Sequence, residues 1–259
     1  MRRFFYENFQ EYLKDHKVKK IDFILKDNSS LSKNGLESRV DKQIDLIVKF
    51  HQKSCGFNGY LKKRINNDTC KLVEEFKIQI KRFSKSLERI KDVGSKDKFE
   101  AILLEKGDAF LNRAELCIKE IYDSGYLELV SRSMGNVEIC LTDVGFDNLE
   151  GDECLKIVNF HDIAYNMVEM DLYYLLSKLK RKGSNLNWEK HINKFCELEN
   201  LDNRSKRFIL AMLSYPYEFM KIHEKYRKNK KNWSEKNYIE KINKAIDEDG
   251  VSLLCEVTE

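Results

Sequence analysis

The residues of this sequence that could do chemistry lie close together between positions 140 and 162. Asp143 is followed five residues later by Asn148, and Asn159 comes just after the next apolar run. In phosphoryl-transfer sites an Asp accepts the proton of the attacking hydroxyl, and an Asn five residues on holds a magnesium ion. Asp143 and Asn148 therefore have the spacing of a proton acceptor and a metal ligand.

Asn159 departs from the pattern of such a site. An Asp just after the following strand normally bridges magnesium to the nucleotide phosphates. Asn159 offers a neutral amide there, whereas a hard divalent cation prefers anionic oxygen. Magnesium affinity should therefore fall sharply. Asp162 is the acidic alternative three residues further on, although the usual geometry does not favour it.

Composition predicts that these residues are held by a mainly helical protein. The 259 residues include 42% apolar and 11% aromatic side chains, which excludes the disordered class. One Pro and 11 Gly argue against an all-β fold. The net charge of +4 is small for 47 basic and 43 acidic residues. The chain shows no run of about 18 apolar residues and no signal-peptide core, so we expect no membrane span and synthesis in the cytoplasm.

Hydrophobic periodicity divides the chain into many helices and a few strands. It predicts a helix over residues 4–15, a strand over 20–26, a polar turn over 27–35 and helices from residue 37 onward. One long helix carries a stripe that we expect to be buried core: Leu72, Phe76, Ile80, Phe83, Leu87 and Ile90. Two short strands, at 137–141 and 155–158, flank the loop that contains Asp143 and Asn148. Pro216 and Ser234 should stand at the starts of the last two helices.

The cysteines and a basic run give weaker signals. Seven scattered Cys predict reduced thiols, with Cys117 and Cys196 as core residues. His51 and Cys55 stand four residues apart and could share a metal ion, but no second pair accompanies them, so the sequence does not favour zinc. Residues 221–231 hold six Lys or Arg against one Glu. Contacts with nucleic-acid phosphates are one interpretation, and a solvated helix face is the favoured one.

With these residues placed, the chain resembles the CotS-type spore coat proteins. They are relatives of the aminoglycoside and choline phosphotransferases and share the protein-kinase-like fold. The peripheral segments that carry the resemblance are residues 4–26, 47–54 (IVKFHQKS), 213–219 (LSYPYEF) and 232–237 (NWSEKN). The resemblance implies a mainly α (α+β) fold in which residues 37–259 form a kinase-like helical C-lobe with a small β element at the catalytic loop. Residues 1–36 would be a vestigial N-lobe, reduced to a helix plus a strand.

Two departures from the family pattern bear on activity. The family has His-Gly-Asp where this chain has Leu141, Thr142 and Asp143, so the histidine that braces the loop is missing. A nucleotide also needs a glycine-bearing loop, a lysine on a following strand and a hinge strand. Residues 1–36 do not provide them. The sequence therefore predicts a kinase-like C-lobe without a nucleotide site.

The resemblance thus implies a non-catalytic, pseudokinase-like structural or interaction protein of the bacterial spore coat. Asp143 and Asn148 would be inactive remnants, and Asn159 a non-functional metal position. We expect no cofactor. The partners would be other spore coat proteins, with neither membrane nor nucleic acid involved. The alternative is a residual small-molecule phosphotransferase that uses Asp143 with ATP and magnesium and is completed by a partner chain.

Overall fold

The chain forms two compact units. A computed structural model describes residues 4–25, 33–151, 154–229 and 233–254. The first unit comprises residues 1–70, 125–177 and 185–209, and the second comprises residues 71–124, 178–184 and 210–259. Asp143, Asn148 and Asn159 all belong to the first unit.

Helices dominate the described residues, as the sequence predicts. Their bounds are α1 Phe9–Asp15, α2 Lys33–Ser54, α3 Lys71–Val93, α4 Lys98–Asp123, α5 Tyr126–Asn136, α6 Glu169–Arg181, α7 Trp188–Leu198, α8 Asn203–Ser214, α9 Tyr217–Arg227 and α10 Glu235–Asp249. The strands are short: β1 Phe5–Tyr6, β2 Val18–Lys20, β3 Tyr60–Leu61, β4 Asn66–Asn67, β5 Ile139–Cys140, β6 Leu149–Glu150, β7 Leu155–Ile157 and β8 Ala164–Tyr165. None of the helices described is both long and apolar enough to cross a bilayer.

The strands of the first unit form three small sheets. β1 pairs in parallel with β3. In the second sheet β7 lies between β2 and β6, with Val18 opposite Leu155 in the parallel β2–β7 pair. In the third, β8 lies between β4 and β5, with Cys140 opposite Ala164. Asp143 and Asn148 lie on the loop that joins β5 of the third sheet to β6 of the second sheet.

Helix α2 is the main support of that loop. Its apolar residues Val40, Ile44 and Ile47 recur at helical spacing and are fully buried, and the helix packs against α7. The same buried side of α2 also carries two polar residues, Gln43 and His51. Buried polar side chains are normally hydrogen-bonded, so these two predict polar partners inside the unit.

The second unit is a helical core of α3, α4, α9 and α10. Phe76 on α3 stacks against Tyr215 with ring centroids 3.7 Å apart. The rings of Phe83 and Phe219 pack edge to face, with their centroids 5.4 Å apart. Gly107 on α4 permits a close helix approach, since a Cβ atom there would lie 2.9 Å from a methyl carbon of Leu87.

The helix predictions hold better than the strand predictions. Pro216 and Ser234 are N-cap residues of α9 and α10, as predicted. The strand predicted at 20–26 is β2, at Val18–Lys20, because pairing with β7 fixes its position. Helix α2 begins at Lys33, inside the predicted turn, and residues 27–32 of that turn lie outside the described residues. The division of the chain into residues 1–36 and 37–259 stays a prediction.

The apolar stripe on α3 is buried core, with one correction. Phe76, Phe83, Leu87 and Ile90 are buried, whereas two residues at the edge of the stripe, Leu72 and Ile80, are only half-buried. Cys117 and Cys196 are buried free thiols, as predicted.

Candidate functional site

The loop that follows β5 contains a strained turn. We call residues 141–149 the Asp143 loop. The backbone N–H of Asp143 donates to the carbonyl of Leu141 at 2.9 Å, which closes a three-residue turn. Its central residue, Thr142, has a φ of +69°, in the region that favours glycine. Strain of this kind persists only where the surrounding structure fixes it, and it clusters at functional sites.

Asp171 fixes this turn. Its two carboxylate oxygens accept the N–H groups of Leu141 and Thr142 at 2.9 and 2.7 Å. Asp171 lies in the first turn of α6 and is fully buried. The sequence-based expectation that the loop loses its brace with the histidine is therefore wrong. Leu141 replaces that histidine with a buried apolar side chain, and a carboxylate from α6 holds the backbone instead.

His51 on α2 holds Asp171 in turn. One ring nitrogen, Nε2, lies 3.0 Å from Oδ2 of Asp171, and the other, Nδ1, lies 2.6 Å from Oε1 of Glu199. Burial disfavours the charged ring, but hydrogen bonds with Asp171, Cys140 and Glu199 raise the pKa of His51 well above its usual value. The ring is therefore charged at neutral pH, and both of its nitrogens donate to carboxylates.

Arg132 on α5 holds the start of α6. Its guanidinium donates to both oxygens of Glu169 at 2.9 and 2.7 Å, and through Nε to Glu138 at 2.9 Å. Glu169 stands two residues before Asp171 in α6 and is fully buried. A bidentate guanidinium pair fixes geometry as well as charge, so this contact orients the turn that carries Asp171.

His51, Cys140 and Asp171 form a compact group, with ligand atoms within 4.8 Å of one another. Burial raises the pKa of the Cys140 thiol, and its sulfur donates to the carbonyl of Met167 at 3.0 Å. A metal would need a thiolate and a neutral imidazole nitrogen here. Because both ring nitrogens are engaged by carboxylates and the sulfur donates to a backbone carbonyl, the donor set fits a hydrogen-bonded cluster rather than a metal ion. Cys55, the partner of His51 in the sequence pattern, instead contacts the backbone of Ile139.

Gln43 on α2 holds the Asp143 loop at its middle and at its C-terminal end. Its buried Nε2 donates to the carbonyl of Val144 at 2.9 Å and to that of Leu149 at 3.1 Å. One side chain thereby satisfies two loop carbonyls that would otherwise lack partners in the interior.

Asn148 brings the three candidate residues together. Its Nδ2 donates to the carbonyls of Asp143 at 2.6 Å and Asn159 at 3.1 Å. Its Oδ1 accepts the backbone N–H of Asn159 at 2.6 Å. The spacing argument therefore placed these residues in one site, but the amide of Asn148 is used to tie two backbone segments together.

The amide of Asn159 is also engaged. Its Oδ1 accepts the N–H of His161 at 2.8 Å, which forms a local turn. A magnesium ion would need oxygens that face it, preferably anionic ones. Asn148 is the neutral ligand that a kinase-type site uses, but Asn159 supplies a neutral oxygen where that site needs an anionic one, and this oxygen already accepts a backbone N–H, so the position of Asn159 does not fit the metal.

Asp143 is the chemically free group of the site. It is half-buried, and within the described part of the chain its carboxylate makes no hydrogen bond or ion pair. The loop backbone is held by Asp171 rather than by this carboxylate. Asp162, the acidic alternative, lies on an exposed turn and likewise makes no ion pair with any described residue.

Sequence reasoning missed Asp171 and Gln43. Asp171 stands between Met170 and Leu172 in an apolar run, and acidic residues are almost never fully buried unless they are paired. A carboxylate inside an apolar helix face could therefore have been singled out as a residue with a buried partner. Gln43, one residue before Ile44 on the apolar side of α2, gives the same kind of signal.

Comparison with known proteins agrees with this fold. No family model matches the sequence. The chain is 26% identical to spore coat protein S from Bacillus subtilis over 151 residues, which are 55% of this chain and 42% of that protein. The chain thus spans less than half the length of this curated relative.

A solved structure is similar over most of the chain. The aminoglycoside phosphotransferase from Alicyclobacillus acidocaldarius matches with a TM-score of 0.66 at 15% identity, over 93% of this chain and 77% of that one. At this identity the match shows the fold alone. The two findings confirm the resemblance to CotS-type proteins and the mainly α, kinase-like fold.

Proposed function

We propose that this chain is a kinase-fold protein of the bacterial spore coat that acts through contacts with other coat proteins rather than by phosphoryl transfer. Its likeness to a protein named as a spore coat protein supports the setting. Its kinase-like fold supports the scaffold. Fold alone does not fix function, so the question of catalysis depends on the site.

The observation that carries the proposal is the neutral, hydrogen-bonded amide of Asn159 at the position where an anionic metal ligand is expected. The side-chain oxygen of Asn148 accepts a backbone N–H at 2.6 Å, and that of Asn159 accepts one at 2.8 Å. A phosphoryl-transfer site depends on metal ions that neutralise the charge on the phosphates. Asn159 supplies no anionic oxygen to such an ion, and its one side-chain oxygen is already shared with a backbone N–H, so the site lacks the charge that holds magnesium against phosphates.

One observation favours a second candidate, a residual small-molecule phosphotransferase. The carboxylate of Asp143 is unpartnered among the described residues and only half-buried, which is the state that a proton acceptor requires. The turn at Thr142 that precedes it is also still strained. This candidate requires ATP and magnesium, and therefore a metal site other than the amide pair.

Nucleic acid is not among the partners we propose. In the described part of the basic run, Lys221 pairs with Glu218, and both Arg227 and Lys228 pair with Glu224. These cations form ion pairs with carboxylates of α9, as expected for the helix face that the sequence favours over contacts with nucleic acid. We propose other coat proteins as partners, synthesis in the cytoplasm before assembly, and no cofactor.

We predict that ATP with magnesium does not stabilise the protein against thermal unfolding. A ligand at about 100 times its dissociation constant adds roughly 2.7 kcal/mol, which in a chain of this size corresponds to a rise of several degrees. We expect no such rise with millimolar ATP and magnesium, compared with ATP plus a chelator.

The matched comparison is Asn159→Asp, which restores an anionic oxygen at the metal position. If ATP with magnesium raised the unfolding temperature of this variant alone, the loss of nucleotide binding would be assigned to Asn159 and the proposal would be supported. A reproducible shift of several degrees in the unmodified protein would contradict it.

A further inference from the structure

The second unit contains a polar cavity that is separate from the Asp143 loop. It has a volume of about 230 Å³ and is formed by α3, α4, α9 and the segment between α3 and α4. The charged and aromatic polar residues that line it are Arg89, Lys96, Glu100, His223, Tyr226 and Arg227, together with the hydroxyl residue Ser86. We call it the α9 cavity. It is smaller than the roughly 300 to 1,000 Å³ typical of sites for drug-sized ligands, so it suits a small molecule or ion.

Cations outnumber carboxylates around the α9 cavity. Glu100 is fully buried and bonds Nη2 of Arg89 at 2.5 Å and the backbone N–H of Lys96 at 3.0 Å. Burial works against its charge, but these contacts keep the pKa of Glu100 below its usual value, so it is ionised. Arg89 therefore balances Glu100, while the ammonium group of Lys96 is 3.5 Å from the same carboxylate and more exposed.

A second group of charges lies beside the first. Glu224 is shared by three cations: Arg82 at 3.1 Å, Arg227 at 3.1 Å and Lys228 at 3.1 Å. The hydroxyl of Tyr226 donates to Asp97 at 2.5 Å, which leaves that carboxylate engaged. The charged residues that line the cavity are three basic and one acidic, and their ion-pair and hydrogen-bond partners add two basic and two acidic: Arg89, Lys96, Arg227 and Glu100, then Arg82, Lys228, Asp97 and Glu224. This surplus of positive charge would attract an anion.

His223 is the residue that points to a ligand. Its ring lines the cavity and is only 1% exposed, and Nδ1 has no hydrogen-bond partner among the described residues. A buried polar atom without a partner costs about 1 to 3 kcal/mol, and an ion that is absent from the coordinates is one recognised explanation. Burial lowers the pKa of His223 to about 4, so the ring is neutral at pH 7 and Nδ1 either donates or accepts one hydrogen bond.

We propose that the α9 cavity binds a phosphate group, either as free phosphate or on a small phosphate monoester. Guanidinium groups match phosphate oxygens with two parallel N–H bonds, and Arg89 and Arg227 each keep N–H groups beyond those used for their carboxylates. The monohydrogen phosphate ion also carries both acceptors and a donor, so it can satisfy Nδ1 of His223 in either tautomer. This inference does not depend on the proposed coat function.

The test is calorimetric titration of the whole chain with inorganic phosphate and, separately, with methyl phosphate, in chloride buffer of matched ionic strength. We expect millimolar or tighter binding of at least one of them. Tighter binding of inorganic phosphate would identify the free ion as the ligand, and tighter binding of methyl phosphate would identify a phosphate monoester. Absence of binding to the unmodified protein at tens of millimolar of both would overturn the proposal.

Three variants assign the binding to the cavity. Arg227→Gln should weaken it about ten-fold or more by removing a guanidinium, since charge-assisted bonds are the strong ones. His223→Phe should weaken it too, yet should not lower the unfolding midpoint, because phenylalanine removes the unpartnered nitrogen. Lys244→Gln is the control, since Lys244 is 74% exposed and pairs only with Glu248 on α10. Unchanged binding in both Arg227→Gln and His223→Phe would contradict the assignment.

Discussion

Replacing Asp171 by asparagine should lower the free energy of unfolding by about 3 to 5 kcal/mol, the cost of removing one partner from a buried charge pair. The fully buried carboxylate accepts from Leu141 and Thr142 and faces the charged ring of His51 at 3.0 Å. An amide can keep at most part of this set, and it leaves His51 with Glu199 as its remaining anionic partner. The measurement is urea unfolding of the two proteins.

The control for Asp171 is Asp45→Asn on α2. Asp45 is 45% exposed and pairs with Lys194, so its loss should cost less than about 1 kcal/mol. A similar small cost for Asp171→Asn would show that the loop does not depend on this brace.

The Asp171 effect should also depend on pH. The pKa of folded His51 is raised, so its stabilising contribution is complete below its unfolded pKa of about 6.5 and is lost as pH rises through the raised value. Asp171 is a main cause of that raised pKa. The difference in free energy of unfolding between the unmodified protein and Asp171→Asn should therefore be largest below pH 6.5 and become smaller as the pH increases.

Phe76→Ala should cost about 3 to 5 kcal/mol, the range for truncating a buried phenylalanine. Phe76 is fully buried and stacks on Tyr215, with ring centroids 3.7 Å apart and planes 3° from parallel. The Tyr215 hydroxyl also donates to the carbonyl of Phe76 at 3.2 Å and to the side chain of Gln79 at 3.1 Å. The cavity would therefore open next to a ring that its own hydrogen bonds hold in place.

Ile78→Ala, on the same helix, is the matched comparison for Phe76. Ile78 is 46% exposed, and its truncation should cost less than about 1 kcal/mol. Denaturant midpoints and slopes of both variants give the two values. If Phe76→Ala cost no more than Ile78→Ala, the buried-core interpretation of the α3 stripe would be wrong.

The long helices could be predicted because each carries its own periodic apolar face. Helix α3 repeats buried residues every three or four positions, and Gly94, with a φ of +89°, follows its end. Helix α5 was not predicted, and it contains Gly135, a residue type that commonly interrupts helices. Gly135 lies inside the helix, and a Cβ atom there would meet nothing within 4 Å, so the glycine marks open space rather than a turn.

The strands could be predicted only in part, because long-range pairing defines elements of two or three residues. Apolar and polar residues largely alternate in residues 20–26, yet the apolar side chains Phe23 and Leu25 are 68% and 83% exposed. The strand lies just before them, where Val18 meets Leu155. A partner 137 positions away sets that register, and local pattern does not contain it.

The site shows the same limit. The spacing of Asp143, Asn148 and Asn159 was enough to expect that they lie together, as the bonds of Asn148 show. The use of each side chain was not predictable, because it depends on backbone groups that the fold brings within reach. Asp171, some 30 positions after the turn it holds, is the clearest case.

The measurement that tests the non-catalytic account most directly is complementation by Asp143→Asn. A deletion strain of the source organism would receive the unmodified or the variant gene and be scored for coat composition and spore resistance, with denaturant unfolding of both proteins. Since the Asp143 carboxylate has no partner among the described residues, the variant should lose less than about 1 kcal/mol and restore both properties. A variant that unfolds like the unmodified protein yet fails to restore the coat would contradict the account and assign the carboxylate a chemical role.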